Sequence, residues 1–252
     1  MSRIALISAM HEELAAVLQR MPDEQKTLHA GREFWLGHWH GHEVVAVLSR
    51  IGKVAAATTA TALIERFDVT RMIFTGVAGG LASQIKVGDV VVAKDFLQHD
   101  MDASPIFPRH EIPLTGKSRF PADPTLSVAL LAASQGALAD LRADLRPEHG
   151  LGIDFEAAQI HHGLIISGDR FVSQSLESAQ LQQRLPDALA VEMECAAIAQ
   201  VCADYGVPLA AVRSISDRAD DAAHQDFARF IEHIASRFSA AVLDRLLADL
   251  PR

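Results

Sequence analysis

The sequence predicts an α/β protein: a single domain of three α/β/α layers around a central mixed, mostly parallel twisted sheet. Two observations predict it. Strand-like and helix-like stretches alternate along nearly all of the 252 residues, the pattern that crossover connections impose. No low-complexity linker or internal repeat divides the chain, so residues 1–252 read as one unit of ordinary size for a large domain.

RIALISA (3–9) is a near-continuous apolar run, as a strand buried on both faces requires, and a helix follows from Met10 to Arg20. EFWLGHWHGHEVVAVLS (33–49) reads as two strands around a turn at Gly41, and KVAAATTATALIERF (53–67) as a helix. RMIFTGV (71–77), VGDVVVA (87–93), GLIISG (163–168), ALAVEM (188–193) and PLAAVRSIS (208–216) read as further strands. In the last helix, 223–250, Phe227, Phe230, Ile231, Ile234, Phe238, Val242, Leu246 and Leu250 form one stripe for docking on the core. Segment 98–124 breaks the alternation. Pro105, Pro108, Pro113, Pro121 and Pro124 deny it a long helix, and a loop of that length in a compact domain is commonly functional.

Hydrophobic residues make up 49% and charged ones 22%, which fits an ordered domain rather than a disordered chain. The net charge of −9 argues against nucleic acid and anionic membrane, where a basic face is needed. No apolar run reaches the roughly 18 residues of a membrane span. MSRIALISAM lacks a cleavage site and leads straight into a strand, so a cytoplasmic location is expected. Cys195 and Cys202, seven residues apart on one helix, lie about 10.5 Å apart along its axis, beyond disulfide reach. Small molecules are the expected partners.

Ligands in such sheets bind at the carboxyl ends of strands, and acids gather there. Glu12 and Glu13 follow the first strand, Asp169 the 163–168 strand, and Asp217 the 208–216 strand. Taken singly, Glu12 and Asp169 suit helix capping or the first helical turn. The apolar stretch AVEMECAAIA (190–199) holds two more, Glu192 and Glu194, and charge in such surroundings must be paired or employed. Extended chain points both glutamates to one side and Met193 to the other; a helix starting at Cys195 would aim one carboxylate into the cleft above the sheet. The glycines of TGVAGGL (75–81), Gly79 among them, let backbone approach a ligand closely. His38, His40 and His42 alternate beside a turn and read as exposed rather than as metal ligands, because zinc sites draw ligands from separate elements. His161, His162 and His224 have no evident partner motif, and no metal is expected.

Seven strings, ALISAMHEE (5–13), SRIGKVAAA (49–57), TGVAGGL, VGDVVVA, SGDRFV (167–172), AVEMECAAIA and VRSISDRAD (212–220), occur in this order across almost the whole chain. Together they resemble the 5′-methylthioadenosine/S-adenosylhomocysteine nucleosidases of the nucleoside phosphorylase/nucleosidase superfamily. The resemblance implies hydrolysis of the N-glycosidic bond of an adenine nucleoside, with no cofactor, in a homodimer. It implies that Asp217, with Ser216 beside it, protonates or hydrogen-bonds adenine N7, and that Glu13 takes a proton from the attacking water. Glu194 would bind ribose hydroxyls, assisted by the Met193 backbone and Arg213, with Glu192 in the same binding set. Phe171 would stack on the base and the Val172 backbone would read its edge, while Met10, Ile51, Met193 and Phe227 line the apolar remainder. Phe107, with Ile106 and Pro113, would cap a thioalkyl pocket across the dimer interface. Val77 departs from the family, which has a small hydroxyl residue there.

The chemistry gives the same set a reason. Adenine leaves poorly as an anion, so a positioned acid must protonate it, and an aspartate serves near neutral pH only when burial or nearby carboxylates raise its pKa. A carboxylate near the ring can stabilise the oxocarbenium-like sugar. Phosphorolysis would need cations for phosphate, and Glu12 and Glu13 stand at the first strand end instead. Hydrolysis of futalosine-type nucleosides, or of AMP with Arg109 and Lys117 at its phosphate, and nucleoside binding without turnover are the other readings.

Overall fold

β5 (Val69–Gly80) is the spine of the molecule, twelve residues whose middle and end are wholly buried. The computed structural model describes residues 2–144 and 156–251. On one side of β5 lie β1 (Arg3–Ser8) and β4 (His42–Leu48), parallel to β5 and to each other, then β3 (Arg32–Trp39) and β2 (Gln25–His29) as an antiparallel edge. On the other side run β9 (Ala188–Glu192), β8 (Ile160–Ser167), β6 (Val90–Gln98) and β10 (Leu209–Asp217). Because β10 also pairs with β5, these five strands close into a ring. A short β7 (Phe120–Pro121) adds to β6. The sheet is mixed, as predicted; its closure through β5 and β10 was not.

Helices cover both faces and complete the three layers. α2 (Lys53–Phe67) and α5 (Cys195–Tyr205) pack one core with Phe34, Phe74 and Phe96. α1 (His11–Leu18), α3 (Pro124–Asp144) and α7 (Ser236–Asp249) pack the other with Ile73, Val77 and Val212. α4 (Ser175–Arg184) covers a third, smaller cluster through Leu181. α6 (Ala223–Phe230) runs into α7 through a π turn, Ile231–Ala235. The two cysteines are buried and free on α5, and no described helix is long and apolar enough to cross a membrane.

Three sequence expectations need correction. The 98–124 stretch is not all loop: it contains β7 and the start of α3, where Pro124 opens the helix, a position that needs no amide hydrogen. The glycine-rich TGVAGG does not end its strand but continues it, pairing with β10 and β9. Of the three alternating histidines, His42 is buried and bonded to the Leu247 carbonyl, while His38 meets Asp23 and His40 meets Asp244. They go to three different partners, and the described residues hold no group of three or more potential metal ligands.

Candidate active site

A hollow of about 620 Å3 opens at the carboxyl ends of β1, β5, β9 and β10. Met10, Ile51, Gly79, Phe171, Val172, Glu192, Met193, Glu194, Ser216, Asp217 and Phe227 line it, together with Val77 and Arg170. Strand ends and the turns after them supply nearly all of these residues, which is why the chain brings them together from distant points. Three residues expected at the site do not line the hollow: Glu13, Arg213 and Phe107.

Asp217 is the last residue of β10 and is 2% exposed. Ser216 Oγ donates to its Oδ2 at 2.8 Å and the Ala219 amide donates to Oδ1 at 2.8 Å. Burial raises its pKa against the pull of those two bonds, and Asp220 and Asp226 add to the rise. Gly79 lies opposite it across the β5–β10 ladder. A Cβ at Gly79 would stand 2.9 Å from Asp217 Oδ1 and 3.0 Å from the Ala219 methyl, so the acid occupies space that only glycine leaves open.

The two glutamates of VEMEC separate by partner. α5 begins at Cys195, and Glu192 turns toward that helix start, accepting from the Glu194 and Cys195 amides at 3.0–3.1 Å, where the helix dipole favours a negative charge. It also accepts from Ser167 Oγ and pairs with Arg213 at 3.0 Å. Arg213 is fully buried, its guanidinium 3.9 Å from the Phe74 ring centroid and pressed against Gly76, where a Cβ would come within 2.9 Å. It stands behind Glu192, not in the hollow. Glu194, free of that pairing, accepts the Gly52 amide at 2.9 Å. Burial, with Glu192 nearby, pushes its pKa up to about 8.

Glu13 lies behind the wall that Met10 forms, with no exposed surface. Ser239 Oγ on α7 donates to its Oε1 at 3.0 Å and the Met10 amide to Oε2 at 3.2 Å. Burial raises its pKa, with Arg213 and these bonds opposing. Glu12 is exposed in the first turn of α1, and Asp169 caps α2 through the Lys53 amide at 2.7 Å; both have the capping or first-turn places that acids commonly take. Phe107 is half-buried in the loop between β6 and β7.

At the mouth, Phe171 stacks on His224 with centroids 4.8 Å apart and meets Phe227 edge-on at 5.7 Å. His224, Ser239, Ser167, Gly52 and Arg170 escaped sequence reasoning. His224 and Ser239 contact site residues from remote elements and carry no motif, while Ser167 opens SGDRFV but its bond to Glu192 had no local sign. Gly52 has φ +92 at the start of α2, and the glycine of SRIGK was the one available sign of a special turn.

The model of the phosphorylase superfamily matches residues 3–248. The 5′-methylthioadenosine/S-adenosylhomocysteine nucleosidase of Neisseria meningitidis, solved with methylthio-immucillin-A, superposes with a TM-score of 0.87 at 32% identity, over 99% of this chain and 100% of that one. The corresponding enzyme of S. pneumoniae, solved with the transition-state inhibitor MT-ImmA, gives 0.83 at 34% identity, over 99% and 100%. The futalosine hydrolase of Helicobacter pylori gives 0.84 at 31% identity, over 99% and 98%. The chain therefore belongs to the phosphorylase superfamily and is a glycosidic-bond-cleaving enzyme of nucleosidase type.

Proposed function

We propose that the enzyme hydrolyses 5′-methylthioadenosine and S-adenosylhomocysteine, releasing adenine and the 5-thio-substituted ribose. One observation carries this reading: a buried carboxyl of raised pKa, Asp217, faces a hollow whose other walls are largely apolar. Protonated Asp217 gives its proton to adenine N7 as the C1′–N9 bond breaks and the electron pair leaves with the base. Water bonds to C1′, and its proton passes to the Glu13 carboxylate. Glu194 holds ribose hydroxyls, and Phe171 covers the base. Glu192 on the wall, paired with Arg213 one layer back, fixes the start of α5 from which Glu194 projects.

An apolar 5′ substituent suits Met10, Ile51, Val77, Met193 and Phe227. A 5′-phosphate would require a cation, and the arginine on the wall, Arg170, is 3.4 Å from Glu177. Arg109 lies 3.6 Å from Asp102, and neither it nor Lys117 lines the hollow. Ile51 and Val54, 64% and 78% exposed at the start of α2, and Ile106, 81% exposed, are the surface we assign to a homodimer contact, with Phe107 reaching the partner's site.

Base release from methylthioadenosine, adenosylhomocysteine, futalosine and AMP, with and without phosphate, tests the reading. The thio-nucleosides should be the best substrates at a rate independent of phosphate, and Asp217→Asn should lose two or more orders of magnitude. A rate that rises with phosphate, or turnover of futalosine alone, overturns it.

A further inference from the structure

Three unpaired hydroxyls lie in the interior beside the hollow. Ser8 ends β1, Thr75 lies in β5 and Ser214 in β10, each at most 3% exposed, and Ser8 Oγ, Thr75 Oγ1 and Ser214 Oγ have no hydrogen-bond partner. Ser8 is in register with Thr75, and Ser214 with Val77. Thr75 and Val77, two residues apart on one strand, point to the same face, so the three hydroxyls form one patch around the Thr75–Val77 step. Val77 itself lines the hollow.

The surroundings make the patch unusual. Its face of the sheet is otherwise apolar, with Leu6, Ile73 and Val212 packed in the core under α1 and α7. Those two helices bring Glu13 and Ser239. Glu13 hangs from the amides of Ala9 and Met10, the two residues that follow Ser8. Buried hydroxyls without partners are costly and rare, whereas three of them close together supply the two to four polar contacts that one enclosed water needs.

We propose that Ser8, Thr75 and Ser214 position the attacking water for Glu13, forming beside Val77 the polar seat that side chain 77 does not supply. The proposal rests on the hydrolytic reading above. When the nucleoside fills the mouth, water held there adds its oxygen to C1′ and yields its proton to the Glu13 carboxylate. Water seated by three groups is lost gradually, one contact at a time, so each hydroxyl acts as a positioning group rather than an all-or-none one.

Single-turnover rates of Ser214→Ala, Thr75→Val and Ser8→Ala test this. Each should slow base release by about three- to tenfold with KM within about twofold, while Thr75→Ser keeps the rate. Val77→Ser places a hydroxyl beside position 214, so the Val77→Ser/Ser214→Ala double variant should regain most of the rate lost by Ser214→Ala. Thermal melts show that each variant is folded. A packing role predicts the reverse, an active, shape-matched Thr75→Val and no rescue by Val77→Ser, and that result overturns the proposal. Asp217→Asn separates the two readings. If it is inactive while Thr75→Val and Ser214→Ala run at full rate, the water seat is wrong. If it is active while those two are slow with rescue intact, the seat stands and the acid assignment fails.

Discussion

Removing Glu192 is the sharpest test of how the site is supported. Glu192→Ala leaves the Arg213 guanidinium fully buried beside Phe74 without the carboxylate that now sits 3.0 Å away. It also strips the acceptor from the Glu194 and Cys195 amides at the start of α5. Breaking a buried ion pair from one side costs about 3–5 kcal/mol. For a chain of this size that corresponds to a melting point lower by about 6–20 °C, at 2–4 °C per kcal/mol. Urea denaturation followed by far-UV circular dichroism reads the loss as a shift in midpoint at constant slope. Glu192→Leu/Arg213→Met removes both charges, and it should recover much of the stability, because an apolar pair of similar volume replaces a buried ion pair at little cost. A single variant within about 1 kcal/mol of wild type, or a double variant no better than the single, would show that the Glu192–Arg213 pair does not support the site.

The other predictions concern charge and space in the hollow. Glu194 holds a proton in the folded enzyme up to about pH 8 that the unfolded chain releases near pH 4.5, so stability falls as pH rises through that window, by at most about 5 kcal/mol. Glu194→Gln should flatten that slope in melts taken from pH 4 to 9, and an unchanged slope would assign it to another group. Gly79→Ala drives a methyl to within 2.9 Å of Asp217 Oδ1 and should lower kcat at least tenfold through displacement of the acid, measured by adenine release. Ser239→Ala removes a bond that holds the Glu13 pKa down; the acidic limb of the kcat profile should therefore move to higher pH. A limb that stays put would remove Glu13 from the role of base.

Much of this site could be read from the chain because its residues stand at strand ends in short motifs. A strand end put Asp217 at the cleft, and a helix start at Cys195 aimed one VEMEC glutamate into it, which the resemblance made Glu194; alternation failed there, because Met193 lines the hollow beside both glutamates. Partners contributed by tertiary packing were not readable. Arg213 sits on a strand whose ends face the cleft, yet Gly76 opens a slot on the neighbouring strand and the guanidinium turns inward to Glu192. Ser239 meets Glu13 across 226 residues, with no local pattern to announce it. β2 went unseen because QKTLH is exposed throughout and has no apolar alternation. The ring closure through β5 and β10 was hidden for a different reason: TGVAGG looks like a loop, and only pairing on both sides makes it a strand.

The π turn at Ile231–Ala235 gives the C-terminal helix two jobs at once. Phe227 lines the hollow before it and Ser239 holds Glu13 after it. On a regular α-helix, twelve residues would set those two side chains about 120° apart; one residue absorbed by a π bulge brings them to within about 20°. The irregularity thus works as a phase correction, letting a single rod supply Phe227 to the hollow and Ser239 to Glu13 together. Shortening that rod by one residue at the bulge would tidy its backbone and throw the two ends out of alignment, so a deletion there should harm the enzyme more than any single substitution along the same helix.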